Sequence, residues 1–122
     1  PKHETTTVGP LEIETFPVSH HCGDPPYAIR VTADGKTVAY TGDTQWCDGV
    51  AGAGREADLF IAECLFRDKQ VKGHLDLATL ETHLPDIRPK RLILTHFGPD
   101  MMARLDEANG YELAEDGLKV AI

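Results

Sequence analysis

The chain has 122 residues, which is the size of one modest domain. Hydrophobic residues make up 41% of it and charged residues 26%, a balance typical of a folded globular protein and not of a disordered one. No apolar run approaches the ~20 residues of a transmembrane helix, and the first ten residues lack the apolar core of a signal peptide. The formal net charge of −8 argues against binding of nucleic acid through charge alone, because Lys and Arg make the phosphate contacts.

The cysteines argue against two kinds of structure. The chain has three of them, Cys22, Cys47 and Cys64, and no two are spaced as CxxC. The sequence therefore predicts neither a disulfide framework nor a cysteine-rich zinc site. A reducing compartment, and therefore a cytoplasmic location, is the expectation that follows.

The first half of the chain predicts strands after a loose polar segment. That segment, residues 1–10, ends in Gly9-Pro10. Alternating or β-branched apolar residues predict strands at 11–18, 27–32 and 37–41. Asp34-Gly35 joins the second strand to the third, because this pair suits the positive φ of a tight hairpin turn. Residues 42–54 are rich in glycine and predict a loop with one short helical turn.

The second half of the chain alternates between buried strands and helices. Residues 58–64 and 91–95 are nearly continuous apolar runs, typical of strands buried on both faces. Between them, Leu77, Leu80 and Leu84 share one helical face, and Asp76 is the predicted N-cap. A short helix is predicted at 99–108, and a terminal strand pair at 111–114 and 118–122. The chain is therefore predicted to be a single mixed α/β domain over residues 1–122.

Polar side chains follow several predicted strands at the point where each ends. They are His20, Asp43, Glu63 and His96. Ligands of sheet-based α/β folds bind beyond one set of strand ends, so we expect these side chains to converge. Imidazole nitrogens together with carboxylates suit Zn²⁺, Mn²⁺ or Fe²⁺ better than Ca²⁺ or Mg²⁺.

Each of these residues also has a structural interpretation when it is taken alone. Asp43 could be a turn residue, and His96 could be a buried structural histidine. Glu63 lies within an apolar run, where an unpaired carboxylate costs several kcal/mol, so it needs a partner whatever its role. His74 could simply stand at the start of a helix.

Taken together, the motifs resemble the C-terminal half of the metallo-β-lactamase superfamily, and its ribonuclease Z and phosphodiesterase branch most closely. The motifs are, in order, FPVSH, YTGDT, ADLFIAE, GHLDLATL and RLILTHF, of which TGDT and LTHF are the most specific. The resemblance extends from about Leu11 to the end of the chain. It implies an α/β fold that is half of a four-layered αββα sandwich, with a mixed β-sheet and helices on one face.

The resemblance implies a metal site for two divalent transition metal ions, zinc in the first place and manganese or iron as alternatives. Asp43 would be the carboxylate that bridges the two ions. His96 would be a ligand of the second ion. His20 would complete the shell of the first ion, with the neighbouring His21 as the alternative.

The resemblance also implies a metal-dependent hydrolase with an acid–histidine pair. Glu63 and His74 match the pair that assists protonation of the leaving group, and Asp43 would act beside them at the metal ions. The preferred hypothesis is hydrolysis of phosphodiester or related ester bonds, with RNA among the substrates, and the GHLD segment favours it. Two alternatives stay open, namely a non-catalytic half-domain and a hydrolase of a thioester or lactone on the same fold.

One family signature is missing from the chain. The motif HxHxDH, which supplies most metal ligands in that superfamily, occurs nowhere in the 122 residues. The chain is therefore interpreted as the C-terminal half of the fold, inactive alone and lacking an N-terminal half of comparable size. The sheet face left bare predicts a homodimer or association with that N-terminal half, and no membrane partner is expected.

Overall fold

The computed structural model describes residues 2–122, so the expectation for Pro1 lies outside it. Within that range seven strands form one sheet in chain order. The strands are β1 Glu4–Val8, β2 Leu11–Pro17, β3 Tyr27–Ala33, β4 Lys36–Tyr40, β5 Leu59–Glu63, β6 Leu92–Thr95 and β7 Glu112–Leu113. The helices are α1 Asp48–Gly54, α2 Leu77–Ile87 and α3 Pro99–Ala103, followed by a 3₁₀ turn Leu105–Ala108. The predicted mixed α/β architecture is confirmed.

The direction of the strands determines which ends meet. Strands β1 to β4 pair in antiparallel fashion, and β4 to β7 pair in parallel. Because β2 and β4 are both antiparallel to β3, they run in the same direction as β5 and β6. The C-terminal ends of β2, β4, β5 and β6 therefore lie at one edge of the sheet.

The N-terminal segment is a strand, so the prediction of an irregular segment there is wrong. Strand β1 pairs with β2 from Glu4 opposite Thr15 to Val8 opposite Leu11. Every residue of β1 is exposed, so it lacks the alternation of burial that predicts a strand from sequence. Its β-branched threonines and its backbone hydrogen bonds to β2 hold it in place instead.

The prediction of a C-terminal strand pair is also wrong in part. Strand β7 has only two residues, and it pairs in parallel with β6. Residues 118–122 form no strand, and the side chains of Leu118 and Ile122 are 45% and 50% exposed. The apolar residues of this segment therefore do not mark a buried strand.

One face of the sheet is covered by the helices. The buried cluster on this side contains strand residues and helix residues together, among them Ala39, Phe60, Ala62, Leu94, Val50, Leu80 and Met101. Helix α1 has seven residues instead of the single turn predicted. Its glycines Gly52 and Gly54 allow it to lie directly against the rings of Phe16 and Phe60. Within residues 2–122, no helix is both long enough and apolar enough to cross a membrane.

The opposite face of the sheet is apolar, and we call it the open face. By the register of the strands it carries Ile13, Ile29, Val31, Val38, Tyr40, Leu59, Ile61 and Ile93. None of these residues belongs to the cluster that packs against the described helices. Ile29 is 39% exposed and five of the others are half-buried, whereas Leu59 and Ile93 are only 5% and 3% exposed. The half-buried part of the open face is thus available to another layer of structure.

Candidate active site

The polar residues that follow the strands do converge at one edge of the sheet. His20, Asp43, Glu63 and His96 lie at the C-terminal ends of β2, β4, β5 and β6, respectively. His74 reaches the same edge from the loop that precedes α2. The common direction of these four strands is the reason that residues so distant in the chain meet.

Three of these side chains form a group of donors that could hold a metal ion. Asp43, His74 and His96 each offer one ligand atom, and these three atoms all lie within 4.8 Å of one another. Nε2 of His96 is 3.8 Å from Oδ2 of Asp43. Two ligands of a tetrahedral zinc ion, each ~2.0–2.2 Å from the metal, lie roughly 3.4 Å apart. Small side-chain shifts would therefore bring these donors to coordination distance.

Glu63 and His74 form a hydrogen-bonded pair at the centre of the site. Nδ1 of His74 lies 2.8 Å from Oε1 of Glu63, a normal hydrogen-bond distance. The backbone N–H of Leu75 donates to the same oxygen at 3.0 Å. The side chain of Glu63 has no exposed surface, and this burial raises the pKa of its carboxyl, while the hydrogen bonds from Leu75 and His74 act in the opposite direction. The buried carboxyl thus has its partner, and Nε2 of His74 is left free.

His20, the other histidine expected to bind metal, is not one of these three clustered donors and lies beside them. Its Nδ1 is 2.9 Å from the carbonyl oxygen of Gly73, and since a carbonyl only accepts, this nitrogen carries the proton and Nε2 is free. The ring centroids of His20 and His74 are 5.0 Å apart. Gly73 has a φ of 87°, a conformation that favours glycine. A Cβ at this position would also lie only 3.3 Å from Nδ1 of His20, which is a second reason for glycine here. The alternative residue, His21, is exposed.

The two threonines of the TGDT motif join the strand ends to each other. Both are fully buried. The hydroxyl of Thr41 accepts the N–H of Glu63 at 2.9 Å, and the hydroxyl of Thr44 accepts the N–H of Ser19 at 3.0 Å. The loop that carries Asp43 is therefore pinned on one side to β5 and on the other to the end of β2.

His96 adopts an unusual backbone conformation. Its φ is 59°, in the left-handed region that residues other than glycine rarely occupy. This turn follows directly after β6 and brings Nδ1 of His96 to 3.7 Å from Oε2 of Glu63. Such a conformation costs about 1–3 kcal/mol and is concentrated at functional sites.

The structure also brings together residues that the sequence analysis did not single out. A cavity of about 400 Å³ lies beside His74, and we call it the side cavity. Its walls include Gln45, Trp46, Gln70 and Lys72. Only a slight indication of this cavity is present in the sequence, namely that Trp46 is the one tryptophan of the chain and stands three residues after Asp43.

Comparison with known proteins adds evidence of a different kind. Residues 1–97 match the family model described as a beta-lactamase superfamily domain. The "Probable metallo-hydrolase YhfI" of Bacillus subtilis is 31% identical over 93 residues, which cover 74% of this chain and 37% of that protein. Ribonuclease Z of Streptomyces avermitilis is 29% identical over 102 residues, which cover 72% of this chain and 34% of that protein. The crystal structure of human tRNase Z, short form, matches with a TM-score of 0.73 and 26% identity, over 96% of this chain and 45% of that one.

Two conclusions follow from these matches. The chain spans about a third of the length of these curated relatives and a little under half of the solved structure. The family match extends over most of the chain, and the fold of a solved relative covers nearly all of it. The chain belongs to the metallo-β-lactamase superfamily.

Proposed function

We propose that this chain supplies one half of the active site of a metal-dependent phosphodiesterase of the ribonuclease Z kind, with RNA among its substrates. The observation that carries the proposal is the edge of the sheet where Asp43 and His96 face each other beside the buried Glu63–His74 pair. The relatives named ribonuclease Z and tRNase Z support the phosphodiester class. The site chemistry and the relatives point to the same reaction.

The donors present fit a divalent transition metal. A carboxylate and imidazoles are the ligands that zinc prefers, with manganese or iron as alternatives. Nδ1 of His20 is held by a backbone carbonyl, the arrangement typical of histidines that bind metal through the other nitrogen. Asp43, His96 and His20 would hold two ions, with further ligands from outside this chain. A bound ion supplies Lewis acidity, which polarises the phosphoryl group and lowers the pKa of water.

The Glu63–His74 pair donates a proton to the leaving group. Glu63 fixes the ring through Nδ1, so the proton is held at and released from Nε2 of His74. Water adds to phosphorus and releases one of its protons to the solvent, and the bond from phosphorus to the leaving oxygen breaks with its electrons on that oxygen. The proton from His74 then neutralises the leaving oxygen.

The open face supports a second proposal, that another half of the fold covers it. Burying an aliphatic side chain completely stabilises a protein by roughly 1.5–3 kcal/mol, so covering the half-buried residues of this face favours association by part of that amount each. The share of the relatives' length that this chain spans is consistent with a missing half. A second copy of the chain is the alternative occupant. Light scattering after size exclusion tests this, because a stable monomer of 13.4 kDa would contradict both forms of the proposal.

The cysteines support the cytoplasmic location that we propose. Cys22, Cys47 and Cys64 are all unpaired. Free thiols persist in a reducing compartment, whereas secreted domains of this size often carry disulfides.

The activity is tested in the full-length protein with a dinucleoside monophosphate, whose alkoxide leaving group needs a proton, and with bis(p-nitrophenyl) phosphate, whose phenolate leaves without one. We expect His74→Ala to lower turnover of the dinucleoside monophosphate about 100-fold or more while the metal content stays unchanged, because general acid catalysis contributes 10²–10⁴-fold. Turnover of bis(p-nitrophenyl) phosphate should fall much less. His3→Ala is the matched control, since His3 lies in the N-terminal segment, outside the group of donors. Loss of metal in His74→Ala would make this residue a ligand. Preferential hydrolysis of a thioester or lactone would contradict the phosphodiester class, and no hydrolysis at all would favour the non-catalytic half-domain.

A further inference from the structure

The side cavity next to His74 has the features of a substrate subsite. Its volume of about 400 Å³ falls within the ~300–1,000 Å³ of small-molecule sites. His74 forms part of its wall and also belongs to the group of metal donors, so the cavity adjoins the reacting centre. A group attached to a leaving oxygen beside His74 therefore has a neighbouring cavity to occupy.

Trp46 provides a rigid aromatic wall. The imidazole of His83 stacks on the indole at a centroid distance of 3.7 Å and an angle of 3°. This stacking holds the indole in one orientation, so little conformational freedom is lost when a ligand binds. A planar, partly apolar wall of this kind suits the flat ring of a nucleobase.

The polar groups of the cavity offer a ligand hydrogen-bond donors and one cationic side chain. Gln45 accepts the N–H of Gly73 at 3.1 Å through Oε1, which leaves its NH₂ as a donor. Both oxygens of the acidic wall residue Asp76 are occupied, by the N–H of Thr79 at 2.9 Å and its hydroxyl at 2.7 Å. Lys72 forms no ion pair with any residue of the described range 2–122. Lys72 thus gives the cavity a positive charge that no acidic side chain of the described residues pairs with.

We propose that the side cavity binds the nucleoside on the leaving-group side of a phosphodiester, with the base against Trp46 and a neighbouring phosphate paired with Lys72. The inference rests on the proposed function and adds the place where the leaving-group nucleoside binds. Stacking on an aromatic side chain tolerates every base, because each base has a flat π-face. The amides of Gln45 and Gln70 contact the polar edge of the base, as is common for unstacked nucleotides.

The test is a titration of the full-length protein with adenosine 5′-monophosphate in EDTA, followed by tryptophan fluorescence. We expect quenching that is absent in Trp46→Phe, and an affinity at least tenfold higher than that of ribose 5-phosphate measured by competition. Lys72→Ala should weaken binding of adenosine 5′-monophosphate at least fivefold. Lys69→Ala is the matched control, because it removes the same charge from an equally exposed position of the same loop that does not line the side cavity, and it should change affinity less than twofold.

Two results would overturn the subsite. One is equal affinity for adenosine 5′-monophosphate and ribose 5-phosphate, and the other is equal weakening by Lys69→Ala and Lys72→Ala. Hydrolysis of bis(p-nitrophenyl) phosphate, which carries no base, separates this inference from the proposed function. Hydrolysis without nucleotide binding would refute the subsite alone, whereas nucleotide binding without hydrolysis would refute the proposed function and leave the cavity as a nucleotide site.

Discussion

Replacing Thr41 by valine tests how the TGDT motif holds the site together. The Thr41 hydroxyl is completely buried, accepts the N–H of Glu63 at 2.9 Å and donates to the carbonyl of Gly42 at 2.7 Å. Valine has nearly the same shape but makes neither bond, so the N–H of Glu63 is left without a partner away from water. A buried polar group without a partner costs about 1–3 kcal/mol. Since the carbonyl of Gly42 also loses a donor, we expect Thr41→Val to lower the free energy of unfolding by about 2–3 kcal/mol.

Urea denaturation followed by circular dichroism measures this loss. Thr37→Val is the matched control, because the half-buried hydroxyl of Thr37 has only the hydroxyl of Thr32 as its side-chain partner, at 3.2 Å. We expect the control to lose less than about 1 kcal/mol, as for an ordinary hydrogen bond. Equal losses in the two variants, or a loss below about 0.5 kcal/mol in Thr41→Val, would refute the pinning of the Asp43 loop to β5.

Two further predictions concern the thiols and the packing of α1. Burial raises the pKa of the Cys64 thiol to about 12, so this thiol stays protonated at pH 8, whereas Cys22 is exposed. We therefore expect Ellman's reagent to modify Cys22 rapidly and Cys64 only after unfolding, and rapid modification of Cys64 in the folded protein would contradict its burial. A methyl group on Gly49 would overlap the carbonyl oxygen of Pro17, whereas one on Gly23 would meet open space. Gly49→Ala should thus lower the free energy of unfolding by about 1–3 kcal/mol in urea denaturation, and a similar loss in Gly23→Ala would refute this packing.

The convergence of the site residues could be predicted from sequence because it follows from strand direction. The apolar runs that contain Glu63 and precede His96 indicate parallel buried strands, and these place their final residues at one edge. That Glu63 needs a hydrogen-bonding partner was likewise predictable, since a buried carboxylate requires one, whereas His74 was assigned as that partner only through the family resemblance. These features depend on local patterns that tolerate few alternatives.

Other features depend on contacts between distant loops, which leave little trace in the sequence. The walls of the side cavity come from the loops of Trp46 and Lys72, and only the fold brings these loops together. The closeness of His74 to Asp43 and His96 likewise depends on how the loop before α2 turns at Gly73. Strand β1 was missed because the pattern of alternating burial is absent from an exposed edge strand.

Calorimetric titration of the full-length protein with Zn²⁺ tests the central claim most directly, namely that this edge of the sheet holds a metal ion through Asp43. The matched control is Asp48→Ala, which removes an exposed carboxylate at the start of α1, five residues further along the chain. We predict that Asp43→Ala weakens zinc binding about 100-fold or more, because even partners that only support a ligand contribute 10–100-fold. We predict that Asp48→Ala leaves the affinity within about twofold. Zinc binding of equal strength in Asp43→Ala and in the unmodified protein would contradict the account.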